Sequence, residues 1–577
     1  RIVERKGEGV VSFISNYSWL DSRSCPGMRE RYLKDFDHIW IDSLNGDKYR
    51  TGKVTPDGKS DPSVFSTDLN REGIQVGTAI ALLVRKPDHQ PATTVEFRDW
   101  WGKEKRSNLL ANLAGSFENQ YESLIPELRL GLPFRPALLA KGYDAWPLLP
   151  QLLPLSFPGV KTSRDDFVVD IDREELLNRL QQYFDPTVSH NAVTRVAGSA
   201  MENASKFEAI KVREYLLARG FLPENVVRYS YRPFDLRWLY WEPDTNLVDR
   251  NRPEYFPHVV EENIWLAAAQ QNRKEFNPPV VTSRLGSLHL IERGANLFPL
   301  KLISNAQGNL LASAEDLMGA RPNLSSSATA YLSAVNSNDA DLFYHIVAIL
   351  YAPSYAAENL GALRQDWPRI PLPSTREALL RSAALGRDIA SLLDAEKAVN
   401  GITGGTIHLP FKSIGSISHV DGKPLKPNED LRVTANWGYR NQAGATMPGK
   451  GKVIEREYAT DERKAIADGA ERFQLSAEEA LTHLGERTSD VYLNDVAYWK
   501  NIPARVWDYT IGGYQVMKKW LSYRELELLG RPLTPDEARE VMNIARRLAA
   551  IVLSEQALDV NYQSVKHSLH DWTPEKR

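Results

Sequence analysis

Between residues 226 and 256 the chain reads VVRYSYRPFDLRWLYWEPDTNLVDRNRPEYF. Arg228, Arg232, Arg237, Arg250 and Arg252 alternate there with Tyr229, Tyr231, Phe234, Trp238, Tyr240 and Trp241. Planar guanidinium groups fit phosphates and the O6/N7 edge of guanine. The same residues also describe an aromatic core with arginine stems packed over it, and composition alone leaves both readings open. A second stretch with chemical content is VVSFISNYSWLD, residues 10–21. An apolar run, Val10 to Ile14, ends in Asn16, Tyr17 and Trp19, which reads as a buried strand whose end turns polar and aromatic. In open α/β sheets ligands sit beyond the carboxyl ends of strands, so Asn16 and Tyr17 are candidates to face a cleft.

Other stretches carry weaker signals. GATMPGKG, residues 444–451, is one residue from a phosphate-binding P-loop, but Gly451 stands where Ser or Thr should hold magnesium, and no apolar strand leads into it. It reads as a flexible basic turn. FNPPV, residues 276–280, approaches the Asn-Pro-Pro-aromatic tetrapeptide of amino-group methyltransferases but ends in Val280, and reads as a structural Pro-Pro turn. His567 and His570 lie three apart with no third ligand nearby, so no metal site is assigned. Cys25 has no evident catalytic partner, and DREE, residues 172–175, reads as a solvated helix start.

These residues must be positioned by a long, ordinary chain. It has 577 residues, 42% apolar and 25% charged, enough for three or four domains and inconsistent with general disorder. Net charge is -3, so a nucleic-acid partner has to be argued from local patches. One cysteine excludes an internal disulfide and suits a reducing cytosol, and no apolar run approaches a membrane span. The expected location is cytoplasmic. The first residue is Arg1 and a strand begins by residue 10, which suggests a piece of a longer chain.

Residues 9–106 alternate in the α/β manner. Val10–Ile14 is a strand. Met28–Phe36 is a helix with Pro26 near its start and Met28, Tyr32 and Leu33 as its apolar stripe. His38–Leu44 is a second strand, and a polar loop rich in Gly, Asp, Pro and Lys follows. Val76–Val84 reads as a strand buried on both faces. Val95–Trp101 reads as an edge strand pairing antiparallel to it. Prolines cluster between residues 131 and 159. Helices are expected over 203–219, closed by Gly220, and over about 375–400, closed by Gly401. Capping boxes join Ser476 to Glu479 and Thr534 to Glu537, the latter with Pro535 at the first helical position. Val541, Ile544, Ala545, Leu548, Ile551 and Val552 form a helical stripe that reads as core.

GVVSFISNYSWLDSRSCPGMRERYLKDFDHIWIDSLNGD, followed by DPSVFS and GIQVGTAIALLVRK, resembles the later half of an N6-adenine DNA methyltransferase, in particular that of the single-chain Type ISP restriction-modification enzymes. YRPFDLRWLYW, DRNRPEYFPH, WPRIPLP and IGGYQVMKKWLSYRELELLGRPLTPDE look like the target-recognition region of the same family. The resemblance implies a fold class: an α/β first part, the later portion of a Rossmann-like methyltransferase sheet, followed by a mixed α+β target-recognition region with a helical C-terminal part. The implied division is 1–108 methyltransferase, 109–225 connection, 226–420 recognition core and 421–577 a mostly helical end.

The resemblance also implies roles. The catalytic Asn-Pro-Pro-aromatic loop and the main S-adenosylmethionine loop would lie upstream, so no catalytic residue is assigned here. ATP and Mg would serve only upstream motor and nuclease parts. Double-stranded DNA is the implied partner, with no membrane. An adenine must leave the duplex to be methylated, and the implied base pocket holds Phe65, Asn16 and Tyr17. The candidate DNA contacts are Lys48, Arg50, Lys53, Arg232, Arg237, Arg250, Arg252, Arg273 and Lys274. A stand-alone DNA-specificity module without catalysis is one alternative, and an α/β carbohydrate-active enzyme another.

Overall fold

The computed structural model describes residues 5–48, 50–116, 118–137, 139–260, 263–271, 276–292, 294–303, 319–442 and 444–573. Two compact units form. The first comprises Arg1–Lys141, Gln271–Phe276 and Ala357–Asp366, and the second holds the rest.

The first unit is built on a five-stranded sheet. Its strands are β1 (Gly9–Asn16), β2 (His38–Asn45), β3 (Thr78–Arg85), β4 (Val95–Asp99) and β5 (Glu122–Leu124), in the order β1-β3-β2-β4-β5. Helix α1 (Pro26–Asp35) has Pro26 in its first turn, where the missing N–H costs nothing. Its Met28, Tyr32 and Leu33 pack against a core of Trp19, Leu20, Ile39, Ile41, Leu83 and Phe97, as the stripe predicts. A second helix, α2, spans Lys105–Leu113.

Three expectations about this sheet are corrected. β1 is not buried: it is an edge strand with alternating exposure, Val10 at 62% and Ile14 at 49%. β3 is not covered on both faces, since Leu82 is exposed on the face it shares with Val10 and Ile14. β4 does not pair with β3 and is not the edge; it runs parallel to β2 and is flanked by β5. β3 is indeed reversed, but between β1 and β2. An apolar run reports that a strand is sticky, not which neighbours take its hydrogen bonds.

The second unit mixes sheets and helices. One four-stranded sheet centres on the hairpin of β6 (Val226–Arg232) and β7 (Asp235–Tyr240). Another joins Phe157–Pro158, Trp265–Ala268, Val280–Thr282 and Asn296–Pro299. A third joins Ser416–His419, Lys452–Glu457, Arg487–Tyr492 and Ala497–Pro503, so residues 421–577 hold sheet as well as helices. Helices α3 (Asp339–Leu350) and α4 (Arg376–Leu393) pack together, joined by a hydrogen bond between buried His345 and Ser382 at 2.7 Å. α4 ends earlier than expected, at Leu393, and the helix before Gly220 begins only at Ala209. Helices α5 (Val516–Ser522) and α6 (Pro535–Leu553) follow. α6 starts on the Thr534–Glu537 capping box and buries its whole predicted stripe. The Ser476–Glu479 box also forms. Among the described residues no helix is long and apolar enough to cross a membrane.

Candidate nucleic-acid interface

The arginine-aromatic stretch separates into a core half and a surface half. Tyr229, Tyr231, Phe234, Tyr240 and Trp241 are buried. Arg237 is only 11% exposed beside them: it pairs with Asp235 at 2.7 Å, and its guanidinium lies 3.8 Å from the Tyr231 ring centroid. Arg524 reaches the same carboxylate at 3.0 Å while stacking on Trp520. Burial alone would raise the Asp235 carboxyl, but the two guanidinium groups outweigh it and hold it at about 2. This closed network ties β7 to the end of α5.

Arg232 is placed differently. Its guanidinium lies over Tyr231 at 4.2 Å and near Tyr514 at 5.5 Å. Lys519 sits 4.6 Å from the Tyr523 ring centroid, and Tyr523 packs edge-on against Tyr231. Among the described residues neither Arg232, Lys518 nor Lys519 has a carboxylate partner. Tyr514 is set by a tight turn in which Gly512 and Gly513 both have positive φ, 59° and 86°, a conformation that favours glycine at both positions. Its hydroxyl donates to the His289 carbonyl at 3.2 Å. Three segments distant in sequence thus converge on one cationic, aromatic cluster, in which half-buried Arg232 and Lys519 rest on tyrosine rings and Arg232 also donates to the Tyr231 carbonyl at 2.6 Å.

The remaining candidates scatter. Arg250 is exposed and its backbone pairs with Lys161. Arg252 has φ 56° and lies 3.9 Å from Glu254. Arg228 is held by Glu396 at 2.7 Å and stacks on Trp238. Arg273 and Lys274 lie outside the described residues.

In the first unit, the loop after β2 is organised by two acids. The Asp47 carboxylate accepts from the backbone N–H of Arg50 at 2.7 Å and of Gly77 at 2.9 Å. Asp61, fully buried, accepts from the N–H of Gly46 and Gly102 and pairs with buried Lys105 at 2.6 Å. Arg50 forks onto Asp21, both contacts at 2.8 Å, and Lys48 pairs with Glu72 at 2.9 Å. Lys53 donates to the Glu72 carbonyl. Phe65, in DPSVFS, is 43% exposed and makes no ring contact among the described residues. Asn16 is exposed and caps the short helix Tyr17–Leu20 through the N–H of Ser18.

Tyr17 is buried beside a cavity of 210 Å³ lined also by Asp21, Arg50, Arg135 and Arg364. Arg50 and Arg135 lie 5.2 and 5.1 Å from its ring centroid. Burial would raise the Asp21 carboxyl, but Arg50, Arg135 and Arg364 hold it below the usual range. Burial pushes the Tyr17 phenol well above its usual value, so it stays protonated. Asp21, Arg135 and Arg364 were not among the sequence candidates. Arg135 comes from the proline-rich connection and Arg364 from far along the chain, and no local pattern joins them.

The weaker motifs find structural roles. Thr446–Pro448 of the near P-loop pairs with Gly438–Arg440, and a Cβ on Gly451 would lie 2.1 Å from the Trp437 ring. The glycine there serves close packing on Trp437, and Thr446–Pro448 forms one strand of a short, largely exposed hairpin. The Pro279 carbonyl accepts from buried Tyr351 at 2.7 Å. Asp172 caps the helix Arg173–Tyr183. No group of three or more potential ligands for a metal ion occurs among the described residues.

The family described as the Type ISP C-terminal specificity domain matches residues 151–547. No curated protein matches the chain. Three solved structures share the fold at low identity. The ATP-dependent Type ISP restriction-modification enzyme LlaBIII bound to DNA has 15% identity and a TM-score of 0.55, over 98% of this chain and 33% of that one. A nuclease-deletion mutant of the Type ISP enzyme LlaGI, with a DNA substrate mimic, has 16% and 0.55, over 99% and 47%. The DrdV-DNA complex has 19% and 0.57, over 97% and 51%. The chain spans between a third and about half the length of these structures. Nothing in these comparisons supports the carbohydrate reading.

Proposed function

Because the chain belongs to the Type ISP C-terminal specificity family, we propose that its second unit reads the DNA sequence for a restriction-modification enzyme, and that its first unit is the later part of an adenine-N6 DNA methyltransferase fold. One observation carries the DNA reading: Arg232 and Lys519 stand without carboxylate partners, among the described residues, against the rings of Tyr231, Tyr514 and Tyr523. Phosphate attraction and base stacking need those two residue classes together. The buried Asp235–Arg237–Arg524 network holds that face rigid and is not itself a DNA contact, which removes Arg237 from the readers.

For the first unit, support comes from the sheet. It presents Val10, Ile14 and Leu82 on one open face beside an edge strand, a surface that further sheet and helix would cover. Phe65 is exposed on a loop fixed by buried Asp61, which suits an aromatic that stacks on an extruded base. In this reading S-adenosylmethionine, and ATP with Mg, belong to other segments of the enzyme, and no step is routed through them here.

The experiment is selection of duplexes from a randomised pool by the 577-residue chain. Enrichment of one sequence, with affinity falling as salt rises, is expected. Salt-dependent binding without enrichment would leave no specificity function. In the intact enzyme, Phe65→Ala should slow adenine methylation while duplex binding is retained; an unchanged rate would remove Phe65 from the base pocket.

A further inference from the structure

The cavity at the end of β1 has a lining that the sequence-reading face does not explain. Its charged side chains are three arginines, Arg50, Arg135 and Arg364, against one carboxylate, Asp21. Arg50 spends its fork on Asp21. Arg135 does not: its closest approach to Asp21 is 3.9 Å, beyond hydrogen-bond distance, and its other contact is the face of Tyr17. The Arg135 side chain is nevertheless only 19% exposed. A guanidinium fork is therefore held in a concave site by ring contact, with its donors directed to no acceptor among the described residues.

The chemistry that fits is an oxyanion with several acceptor atoms. Guanidinium matches phosphate bidentately. With Arg50 engaged by Asp21, the Arg135 charge on the wall favours an anion over a neutral ligand. Size narrows the class. At 210 Å³ the cavity is far larger than a water needs and smaller than the roughly 300–1,000 Å³ typical of sites that enclose a whole cofactor. A phosphate with its flanking ester atoms fits between these limits.

We propose that this cavity binds a phosphate group, and that its occupant in the working protein is a backbone phosphodiester of duplex DNA. The assignment to DNA rests on the DNA-binding reading above. It gives the first unit a grip on the strand that does not depend on sequence, beside the loop that carries Arg50.

The test uses the 577-residue chain, a labelled 30-bp duplex and inorganic phosphate. Arg135→Gln removes the charge, and Ala137→Glu adds a carboxylate to the lining without deleting any existing contact. Each should weaken duplex binding about threefold or more on every sequence tried, and Arg135→Gln should lower the slope of log affinity against log salt by about one. If Arg135→Gln fails to fold, Ala137→Glu answers alone. If inorganic phosphate raises the melting temperature of the wild type but not of the variants, while duplex affinity and salt slope stay unchanged, the site takes free phosphate and the DNA assignment is overturned. If neither probe responds to the variants although the wild type binds duplex, the cavity is not a phosphate site. A wild type that binds no duplex would instead overturn the DNA-binding reading, and with it the DNA assignment.

Discussion

The loop around Arg50 and the face around Arg232 use the same side chains, arginine, lysine and tyrosine, with opposite electrostatic outcomes. In the loop Arg50 is answered by the Asp21 carboxylate and Lys48 by that of Glu72, while Lys53 donates to the Glu72 carbonyl. On the face, Arg232 and Lys519 lie on rings that hold their stems without cancelling their charge. Counting basic residues in sequence treats the two regions alike. What separates them is whether a carboxylate or a ring was delivered beside each cation, and that is decided by chain segments far away. The attraction for DNA should therefore fall on the face around Arg232 rather than on this loop, whose own cations contribute geometry.

The largest expected effect tests the scaffold of the face. Asp235 is fully buried between Arg237 and Arg524. Asp235→Asn leaves two guanidinium groups short of their counter-charge and should cost about 3–5 kcal/mol in urea unfolding. The pH dependence has a definite sign. The folded carboxyl is held at about 2, below its unfolded value near 3.9. Its contribution is complete above about pH 4 and is lost as the pH falls toward 2. The variant should lack that acid-side loss. Unchanged stability would mean that the network is not what fixes the face.

The corresponding staple in the first unit should matter less. Asp61→Asn removes the partner of Lys105, but burial already holds the Lys105 ammonium below its ordinary range, so it can shed its proton once unpaired. The expected loss is about 1–3 kcal/mol, the range for leaving one buried polar group unsatisfied. Faster amide exchange should appear at Gly46 and Gly102, whose N–H groups Asp61 accepts. A cost equal to that of Asp235→Asn would erase the difference drawn between the two staples.

Next comes the reading face itself. Arg232→Ala should cost about 1–3 kcal/mol on the selected duplex and less on a scrambled one, if the fork meets a base edge. Lys519→Ala should weaken both duplexes alike and lower the salt slope by about one. Fluorescence anisotropy on the two duplexes separates the roles; equal losses for Arg232→Ala would make it a phosphate contact.

The sequence made local elements plain and left their assembly hidden. The Thr534–Glu537 box, the Pro26 helix start and the α6 stripe follow from contacts within a few residues, and all three form. The order β1-β3-β2-β4-β5 rests on pairings between distant strands. The apolar run Val10–Ile14 reads the same whether it ends in a core or on an open edge. What encloses Arg237 has no local signal: its partner Asp235 is shared with Arg524, which lies 289 positions from that acid. Tyr17 carries a signal in its place at a strand end, while Arg135 and Arg364, which line the same cavity, carry none.

The smallest expected effect is the one that most directly tests the contrast between paired and unpaired cations. Lys48 and Glu72 form a surface pair at 2.9 Å, with side chains 46% and 58% exposed. Water and salt screen such a pair, and two flexible side chains must be held in place to make it. Lys48→Ala should therefore leave the melting temperature unchanged within error. For duplex binding the argument runs through the carboxylate left behind. While Lys48 is present, the pair presents little net charge; once it is gone, Glu72 stands open toward any DNA lying along the loop. Affinity should then drop slightly at low salt, and the difference should vanish near physiological ionic strength, where charges more than about 8 Å apart are largely screened. Equilibrium titrations of wild type and variant across that salt range supply the check. A loss as large as that of Arg232→Ala, persisting at high salt, would show Lys48 gripping a phosphate directly, and the loop would join the reading face as a principal contact.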